Sequence, residues 1–310
     1  MTDESILITG ANGLIGRHLL KRLVREGRRA IGIDLAARDA PDRVLACDIT
    51  DIHRLYGLAR QYSLTDIIHC GAISGPMVML DNPYGIIRAN VDGTANIMEM
   101  ARVMGLRRLV FCSSTSAYGP TDDTGAGITE RAPLRPGSVY GASKVACEQL
   151  LAAYRRQHGQ DNVAIRLSWV YGPGRTTDCV IRSLITSVLR RQAVEWPWGA
   201  NFHRQYIYVD DAASALLAAL DAPRCPDGVY TATGGSYLTL AEVAETVQQV
   251  LGQGQIRFAD GPDPLDDVQH RFDISAIADG LGFVPHYSLS QGIRAYADWL
   301  APLISQEIHP

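Results

Sequence analysis

The sequence lacks any long hydrophobic run. Its longest near-continuous apolar stretch, residues 212–220, is interrupted by Ser214 and falls well short of the roughly 20 residues that a membrane-spanning helix needs. The N-terminus also lacks the basic residues of a secretory signal, because Asp3 and Glu4 precede the first apolar residues. We therefore expect a cytoplasmic protein that does not associate with membranes.

Clustered positive charge and metal-binding motifs are missing as well. The chain has 29 Lys and Arg residues against 33 Asp and Glu residues, without the basic runs that contact nucleic-acid phosphates. Its six cysteines contain no C-x-x-C pair, and no two of its eight histidines are three to five residues apart. These absences argue against a nucleic-acid partner and against a zinc site. We expect the cysteines to be reduced thiols in the core.

What the sequence does contain is an alternation of short apolar runs and longer helical patterns. The alternation predicts an α/β fold: a doubly wound parallel-sheet Rossmann domain over residues 1–170. After Tyr171 the pattern is less regular, and we predict a smaller mixed α/β lobe over residues 171–310 that binds substrate and is intertwined with the first domain. The predicted strands are Ile6–Thr9, Ala30–Asp34, Val44–Ala46, Asp66–His69, 109–112 and 163–167, and the predicted helices include 14–26, 83–104 and Val139–His158.

A glycine-rich turn follows the first predicted strand. The run Gly10-Ala11-Asn12-Gly13-Leu14-Ile15-Gly16 opens a predicted helix, and its glycines allow a tight turn and a close approach of the backbone to a pyrophosphate. Alone, such a run is more often a simple strand-to-helix turn. Asp34, however, ends the second strand about 20 residues later, where a carboxylate binds the ribose hydroxyls of a dinucleotide. Asp34 favours NAD, whereas Arg38 leaves NADP open because a guanidinium can accept its 2′-phosphate.

Two further motifs offer acid–base chemistry. Tyr140 and Lys144 are four residues apart at the start of a predicted helix, so their side chains share a helix face. A nearby ammonium favours the phenolate of a tyrosine, and the pair can act as an acid–base unit. Residues 113–119, Ser-Ser-Thr-Ser-Ala-Tyr-Gly, place hydroxyls at the sheet edge where open α/β folds bind ligands. Each motif alone has an ordinary explanation, an exposed helix pair or a serine-rich turn.

In combination these motifs resemble the extended short-chain dehydrogenase/reductase family, also called the NAD-dependent epimerase/dehydratase family. The resemblance covers nearly the whole chain. The segments that extend it are Asp48-Ile49, His69-Cys70-Gly71-Ala72 in place of the usual H-x-A-A, Asn90-Val91-Asp92-Gly93-Thr94, Tyr171-Gly172-Pro173-Gly174 and Tyr206-Ile207-Tyr208-Val209-Asp210-Asp211. The NAD contacts that it implies are Gly10, Asn12, Gly13, Leu14, Ile15, Gly16, Asp34, Asp48, Ile49, Cys70, Gly71, Ala72, Asn90, Tyr140 and Lys144.

The resemblance also implies a catalytic trio. Tyr140 is the implied acid–base residue, Lys144 favours its phenolate and holds the nicotinamide ribose, and Ser114 orients the substrate oxygen. The implied reaction is hydride transfer at a secondary alcohol or ketone carbon of a sugar-type substrate. Dehydratases of the family have a T-D-E segment where this chain has Ser114-Thr115-Ser116, so the resemblance disfavours dehydration.

The substrate is less closely defined. Nucleotide-sugar members usually have Asn where Trp169 stands and an Arg within the segment that here is residues 264–267, while a third nucleotide contact is retained as Arg204. The uncharged loop at residues 73–77 resembles that of members that oxidise sugar acids or small hydroxy acids, and Arg204 could then bind a carboxylate. Alternatively, Arg204 forms an inter-lobe salt bridge and Trp169 packs in the core. The predicted substrate contacts are Ser74, Ser114, Thr115, Trp169 and Arg204.

We therefore favour an NAD-dependent dehydrogenase of a sugar, sugar acid or small hydroxy acid, with a UDP-hexose-type 4-epimerase as the alternative. A non-catalytic NAD(H)-sensing protein is a third candidate, although such members generally lack the Tyr or the Lys. By resemblance, helices 83–104 and Val139–His158 form a homodimer interface. Its apolar surface would come from Ile86, Ile87, Ile97 and Met98, which could equally cover the sheet.

Overall fold

Strands and helices alternate through most of the chain. The computed structural model describes residues 5–39, 43–123, 125–177, 179–252, 254–264 and 266–308. The strands are β1 (Ile6–Thr9), β2 (Ala30–Asp34), β3 (Val44–Ala46), β4 (Asp66–His69), β5 (Arg108–Ser114), β6 (Asp161–Leu167), β7 (Trp169–Tyr171), β8 (Val194–Trp196), β9 (His203–Arg204), β10 (Tyr206–Tyr208), β11 (Val229–Ala232), β12 (Leu238–Thr239) and β13 (Ile256–Phe258). The helices are α1 (Leu14–Arg25), α2 (Ile52–Tyr62), α3 (Pro83–Ile87), α4 (Gly93–Val103), α5 (Val139–His158), α6 (Val180–Leu189), α7 (Val209–Asp221), α8 (Leu240–Leu251), α9 (Ser275–Leu281) and α10 (Leu289–Ile308).

A seven-stranded parallel sheet forms the centre of the molecule. Its strand order is β3-β2-β1-β4-β5-β6-β11, the order of doubly wound dinucleotide-binding folds with one strand added at the end. The register sets Thr9 beside Ile33 on one side and beside His69 on the other, so the carboxyl ends of these strands meet at one edge. The predicted fold class is confirmed.

Helices bury both faces of this sheet, which explains why its strands are continuously apolar. On one face, Ile8, Ile68 and Val110 pack in a core that also contains residues of α1 and α7. On the other face, Leu7 and Ile67 pack with residues of α2, α4 and α5. Successive residues of each strand therefore pack into two different cores, one on each face of the sheet.

A buried ion pair joins α5 to β6 beneath the sheet edge. Arg166 Nη2 lies 2.6 Å from Glu148 Oε2, and both side chains are less than a tenth exposed. The Ser113 hydroxyl of β5 donates to Glu148 Oε1 at 2.5 Å, and the Arg166 guanidinium lies over the ring of Tyr118. This network fixes the end of β5 relative to the first half of α5.

The helix predicted over residues 83–104 is interrupted. It consists of α3, a π-helical turn over Arg88–Asp92 and then α4. Such turns insert one extra residue and frequently occur at functional sites. Here the turn places Asn90 inside the protein, where it is 1% exposed.

The chain after residue 170 contributes to both parts of the molecule. β11 pairs with β6 in the central sheet, with Val229 beside Ala164, and α7 packs against α1. The two-stranded pairs β7–β10, β9–β12 and β8–β13, with α6, α8 and α10, form the remainder. The boundary at residue 170 stays a prediction. Within the described ranges, no helix is long and apolar enough to cross a membrane.

Candidate active site

A cleft of about 730 Å³ opens at the carboxyl edge of the central sheet. Such a volume suits a cofactor or another small molecule. The predicted residues that line it are Gly10, Asn12, Gly13, Leu14, Ile15, Gly16, Asp34, Asp48, Ile49, Cys70, Gly71, Ala72, Ser74, Ser114, Thr115, Tyr140, Lys144 and Trp169. Asn90 and Arg204 lie outside its lining.

The glycine turn between β1 and α1 forms the floor of the cleft. Gly10 has φ 65°, and a Cβ on it would come within 2.8 Å of the Cys70 carbonyl. A Cβ on Gly16 would collide with the carbonyl oxygen of Gly10. Only glycine fits either position, so the backbone can come close to a ligand there. The cap residue of α1 is Gly13, which brings no side chain to the positive end of the helix.

Asp34 borders the same turn at the end of β2. Its carboxylate accepts the backbone N–H of Asn12 at 2.9 Å and that of Leu35 at 2.7 Å. The Asn12 side chain donates to the Ala36 carbonyl at 2.7 Å, while its buried Oδ1 has no protein partner among the described residues. An open helix N-terminus, a fixed carboxylate and this unpaired oxygen fit a dinucleotide with its phosphates at α1 and a ribose at Asp34.

Tyr140 and Lys144 stand at the opposite end of the cleft, in the first turns of α5. Ser138 caps this helix by accepting the N–H of Gly141 at 3.1 Å, as expected for a serine at an N-cap. The side chains of Tyr140 and Lys144 are both less than a tenth exposed. Lys144 Nζ donates to the Cys112 carbonyl at 2.8 Å and lies 5.7 Å from the centroid of the Tyr140 ring, so the ammonium is held close to the phenol.

Several hydroxyl groups line the cleft together with the phenol. Ser74 Oγ lies 3.4 Å from Tyr140 Oη. At the end of β5, Ser114 Oγ accepts the N–H of Ser116 at 3.1 Å and donates to its hydroxyl at 3.2 Å. Thr115 follows, and its carbonyl accepts from the Gln269 side chain at 2.7 Å. This arrangement can hold an alcohol or a carbonyl oxygen and move a proton to or from it.

Asn90 supports the site from behind the cleft. Its Oδ1 accepts the N–H of Ile73 at 2.8 Å, and its Nδ2 donates to the Ile73 carbonyl at 3.0 Å and to Ser143 Oγ at 3.0 Å. The side-chain amide thus fixes the loop that carries Ser74 against α5. A direct contact between Asn90 and NAD stays a prediction.

Arg204 is held by carboxylates outside the cleft. Its Nη2 lies 2.5 Å from Asp263 Oδ2, and its Nε donates to Asp266 Oδ2 at 3.0 Å. The guanidinium also lies 4.3 Å from the centroid of a Trp169 ring. A cavity of only about 10 Å³ remains between Trp169, Arg204 and Asp266, room for about one water molecule. The structure therefore gives Arg204 an ion pair within the predicted second lobe and not the inter-lobe salt bridge that was the alternative. Substrate binding by Arg204 stays a prediction.

Burial raises the pKa of the Asp266 carboxyl, which the nearby Arg204 charge opposes. Leu265, within the segment 264–267 compared above, lies outside the described residues.

Sequence reasoning missed Arg175, which lines the cleft beside Trp169. Its guanidinium lies 5.9 Å from the centroid of the Trp169 ring and donates to the Val170 carbonyl. The signal was available, because Arg175 follows directly on the Gly172-Pro173-Gly174 turn. It adds a positive charge to the cleft lining, in which the other basic residues are Arg88 and Lys144.

The sheet order and the glycine turn with Asp34 are those of a dinucleotide-binding enzyme of the Rossmann type, and the Ser, Tyr and Lys side chains lie at the same edge of the sheet. Residues 6–231 match the NAD-dependent epimerase/dehydratase family, and the chain belongs to that family. Its cofactor is NAD. The predicted family and cofactor are both confirmed.

Relatives of known function are similar along nearly the whole chain. A UDP-glucuronate 4-epimerase of Thermodesulfobacterium geofontis is 26% identical over 94% of this chain and 95% of its own. A dTDP-glucose 4,6-dehydratase of Mycobacterium tuberculosis is 31% identical over 95% of this chain and 92% of its own. The crystal structure of a Thermus thermophilus UDP-glucose 4-epimerase with NAD has a TM-score of 0.84 at 27% identity, covering 95% of this chain and 98% of that one. These names favour the epimerase alternative over the dehydrogenase that the sequence led us to prefer.

Proposed function

We propose that the protein is a nucleotide-sugar 4-epimerase that oxidises a secondary alcohol of its substrate and reduces the ketone again on the other face. The observation that carries the proposal is the convergence of Tyr140, Lys144 and Ser114 at one end of the NAD cleft. The named activities of the relatives support epimerisation as the outcome. The dehydratase relative is a weaker guide, because Ser114-Thr115-Ser116 contains no carboxylic acid.

Each residue of the cleft has a separate role in the proposed reaction. Bound NAD supplies a reversible acceptor for the hydrogen of the reacting carbon. Tyr140 Oη takes the proton of the substrate hydroxyl and gives it back, and the Lys144 ammonium stabilises the phenolate formed in between. Ser114 donates a hydrogen bond to the substrate oxygen, and Ser74 lies within reach of the same position. The ends of β1 and β2, with the start of α1, would hold the dinucleotide through Gly13 and Asp34.

The test is a product assay with UDP-glucuronate and UDP-glucose in the presence of NAD. We expect the 4-epimer in the chromatogram without net formation of NADH, since the hydrogen returns to the substrate. The paired control is Tyr140→Phe, which should form product at least about 100-fold more slowly. Net NADH, or a dehydrated keto sugar, would contradict the proposal.

A second candidate is a dehydrogenase of a small substrate without a nucleoside diphosphate. The specific observation in its favour is that Arg204 is paired with Asp263 and Asp266. In addition, a second cavity of about 400 Å³ shares Tyr140 and Ser116 with the cleft and is lined by Asp266 and Asp267. Carboxylates at this position would repel a diphosphate.

The same preparation tests this candidate with a panel of aldoses, sugar acids and small hydroxy acids. Net NADH with one of them, together with no epimer from the nucleotide sugars, would establish the dehydrogenase. Epimer formation from a nucleotide sugar would instead establish the 4-epimerase and refute this candidate.

A further inference from the structure

Two cysteine thiols lie side by side in the wall of the cleft. β4 and β5 are parallel, and the last residue pair of β4 is His69 beside Phe111, so Cys70 and Cys112 are the next pair. Both pack against the same core layer, which places their side chains on the same face of the sheet. Neighbouring strands are about 4.8 Å apart, within the Cα separation of roughly 4.4–6.8 Å that a disulfide spans.

The two thiols are chemically unequal. Contact with the Cys70 thiol lowers the pKa of Cys112 against the effect of burial, whereas contact with Cys112 and burial raise the pKa of Cys70 well above its usual value. The charge of Lys144 lowers the pKa of Cys112 further. Since thiolates are the nucleophiles in disulfide exchange, Cys112 is the attacking residue and Cys70 the resolving one.

Access separates this pair from the remaining cysteines. Cys70 and Cys112 are partly exposed and line the cleft. Cys147, Cys179 and Cys225 are buried away from it. Cys47 also lines the cleft, but burial raises the pKa of its thiol to about 11. Among the six cysteines, only Cys70 and Cys112 therefore form a neighbouring pair of thiols that a small molecule in the cleft can reach.

We propose that Cys70 and Cys112 form a thiol–disulfide modification site inside the cofactor cleft, which small disulfides oxidise and bound NAD shields. The Cys112 thiolate attacks one sulfur of the small disulfide, forms a mixed disulfide and releases one small thiolate. Cys70 then loses its proton and attacks the Cys112 sulfur, which releases the second small thiolate. Two electrons pass from the protein thiols to the reagent, and their two protons end on the released thiols. The proposal rests on the shared cleft and not on which sugar reaction the enzyme catalyses.

The experiment exposes the reduced protein to oxidised glutathione, quenches it by alkylation and maps every cysteine by peptide mass spectrometry. We expect a Cys70–Cys112 disulfide, four alkylated cysteines and full reversal by dithiothreitol. NAD at about ten times its Kd should slow the loss of the two thiols about tenfold. Retention of both thiols, or equal rates with and without NAD, would overturn the proposal.

Serine variants test the order of attack. Cys70→Ser should stop with glutathione on Cys112, whereas Cys112→Ser should leave Cys70 alkylated and unmodified. Cys47→Ser is the matched control, because it removes the other thiol of the cleft and should react at the wild-type rate. A glutathione adduct on Cys70 in the Cys112→Ser protein, formed as fast as the wild-type disulfide, would refute the assignment. If a variant fails to fold, the wild-type peptide map still decides whether the bond forms.

Discussion

At the scale of single residues, the hydroxyl of Tyr140 is the group on which the proposed chemistry depends. Tyr140→Phe removes only this oxygen, and we expect turnover to fall by about 10²- to 10⁴-fold, the usual contribution of a general acid or base. NAD should still bind, which fluorescence titration would show. Tyr84→Phe, at an exposed tyrosine, should keep the wild-type rate. Wild-type turnover in Tyr140→Phe would contradict the assigned role.

Asp34 is expected to set the preference for NAD over NADP. Asp34→Ser removes a carboxylate that would bind the ribose hydroxyls and repel a 2′-phosphate. We expect NAD affinity to fall about tenfold, equivalent to the loss of one hydrogen bond to a charged group, while NADP affinity rises. Titration with both nucleotides measures the ratio, and an unchanged ratio would place the ribose elsewhere.

His69 makes the stability of the protein depend on pH. Its ring is buried, with Nδ1 2.6 Å from Thr9 Oγ1 and Nε2 3.0 Å from Thr94 Oγ1. Burial, aided by the charge of Lys144, lowers its pKa to about 3. The unfolded chain binds this proton below about pH 6.5 and the folded protein does not. Stability is therefore complete above that pH and is lost as the pH falls towards 3, by up to roughly 1.4 kcal/mol per unit.

Urea unfolding between pH 7 and pH 4 measures this loss. The slope of the free energy of unfolding against pH should be smaller in His69→Asn than in the wild type. His53→Asn, at an exposed histidine, should keep the wild-type slope. Equal slopes in all three proteins would mean that His69 is protonated in the folded state.

At the scale of elements, the features that depend on local sequence patterns were predictable, and those that depend on contacts between distant residues were not. The bounds of β1 to β4 and of α5 follow from apolar runs, the Asn- and Gly-containing turns and the Ser138 cap. The break between α3 and α4 does not, because a π turn depends on Asn90 bonding Ile73 across the site. The pairing of Arg204 was equally hidden, since its partners lie about 60 residues further along the chain and only the folded chain brings them together.

The buried pair of Glu148 and Arg166 should dominate the link between α5 and β6. Glu148→Ala leaves the Arg166 charge buried and unpaired, and we expect a loss of about 3–5 kcal/mol in the free energy of unfolding. The matched control is Glu26→Ala, which breaks an exposed pair with Arg22 and should cost at most about 0.5 kcal/mol. Chemical denaturation compares the two. Similar losses would show that the buried network contributes no more than a surface pair.

At the scale of the whole molecule, the structure alters the predicted interface without testing the dimer. Ile97 and Met98 are buried in the core that packs on the sheet. Ile86 is buried as well but lines the second cavity, whereas Ile87 is 44% exposed. Tyr84 is exposed beside it on α3. The homodimer stays a prediction, and its apolar contacts would come from this shorter patch.

Light scattering after size exclusion measures the mass of the particle. We expect a dimer for the wild type and a monomer for Ile87→Glu, because a charge in an apolar interface is not compensated. Val24→Glu changes an equally exposed residue on α1 and should stay dimeric. A wild-type monomer at micromolar concentration would refute the interface.

The central sheet is completed by β11, which lies about 60 residues after β6 in the chain and is therefore synthesised later. Until residues 229–232 leave the ribosome, β6 is an edge strand, and exposed edges of this kind pair with other chains. The strand also brings Thr231, whose hydroxyl lies 2.7 Å from Tyr118 Oη and whose N–H donates to Glu130 Oε1 at 2.6 Å. The edge of the central sheet at β6 therefore stays unpaired until β11 has been synthesised. A chain truncated after β6 would keep this exposed edge strand and should aggregate.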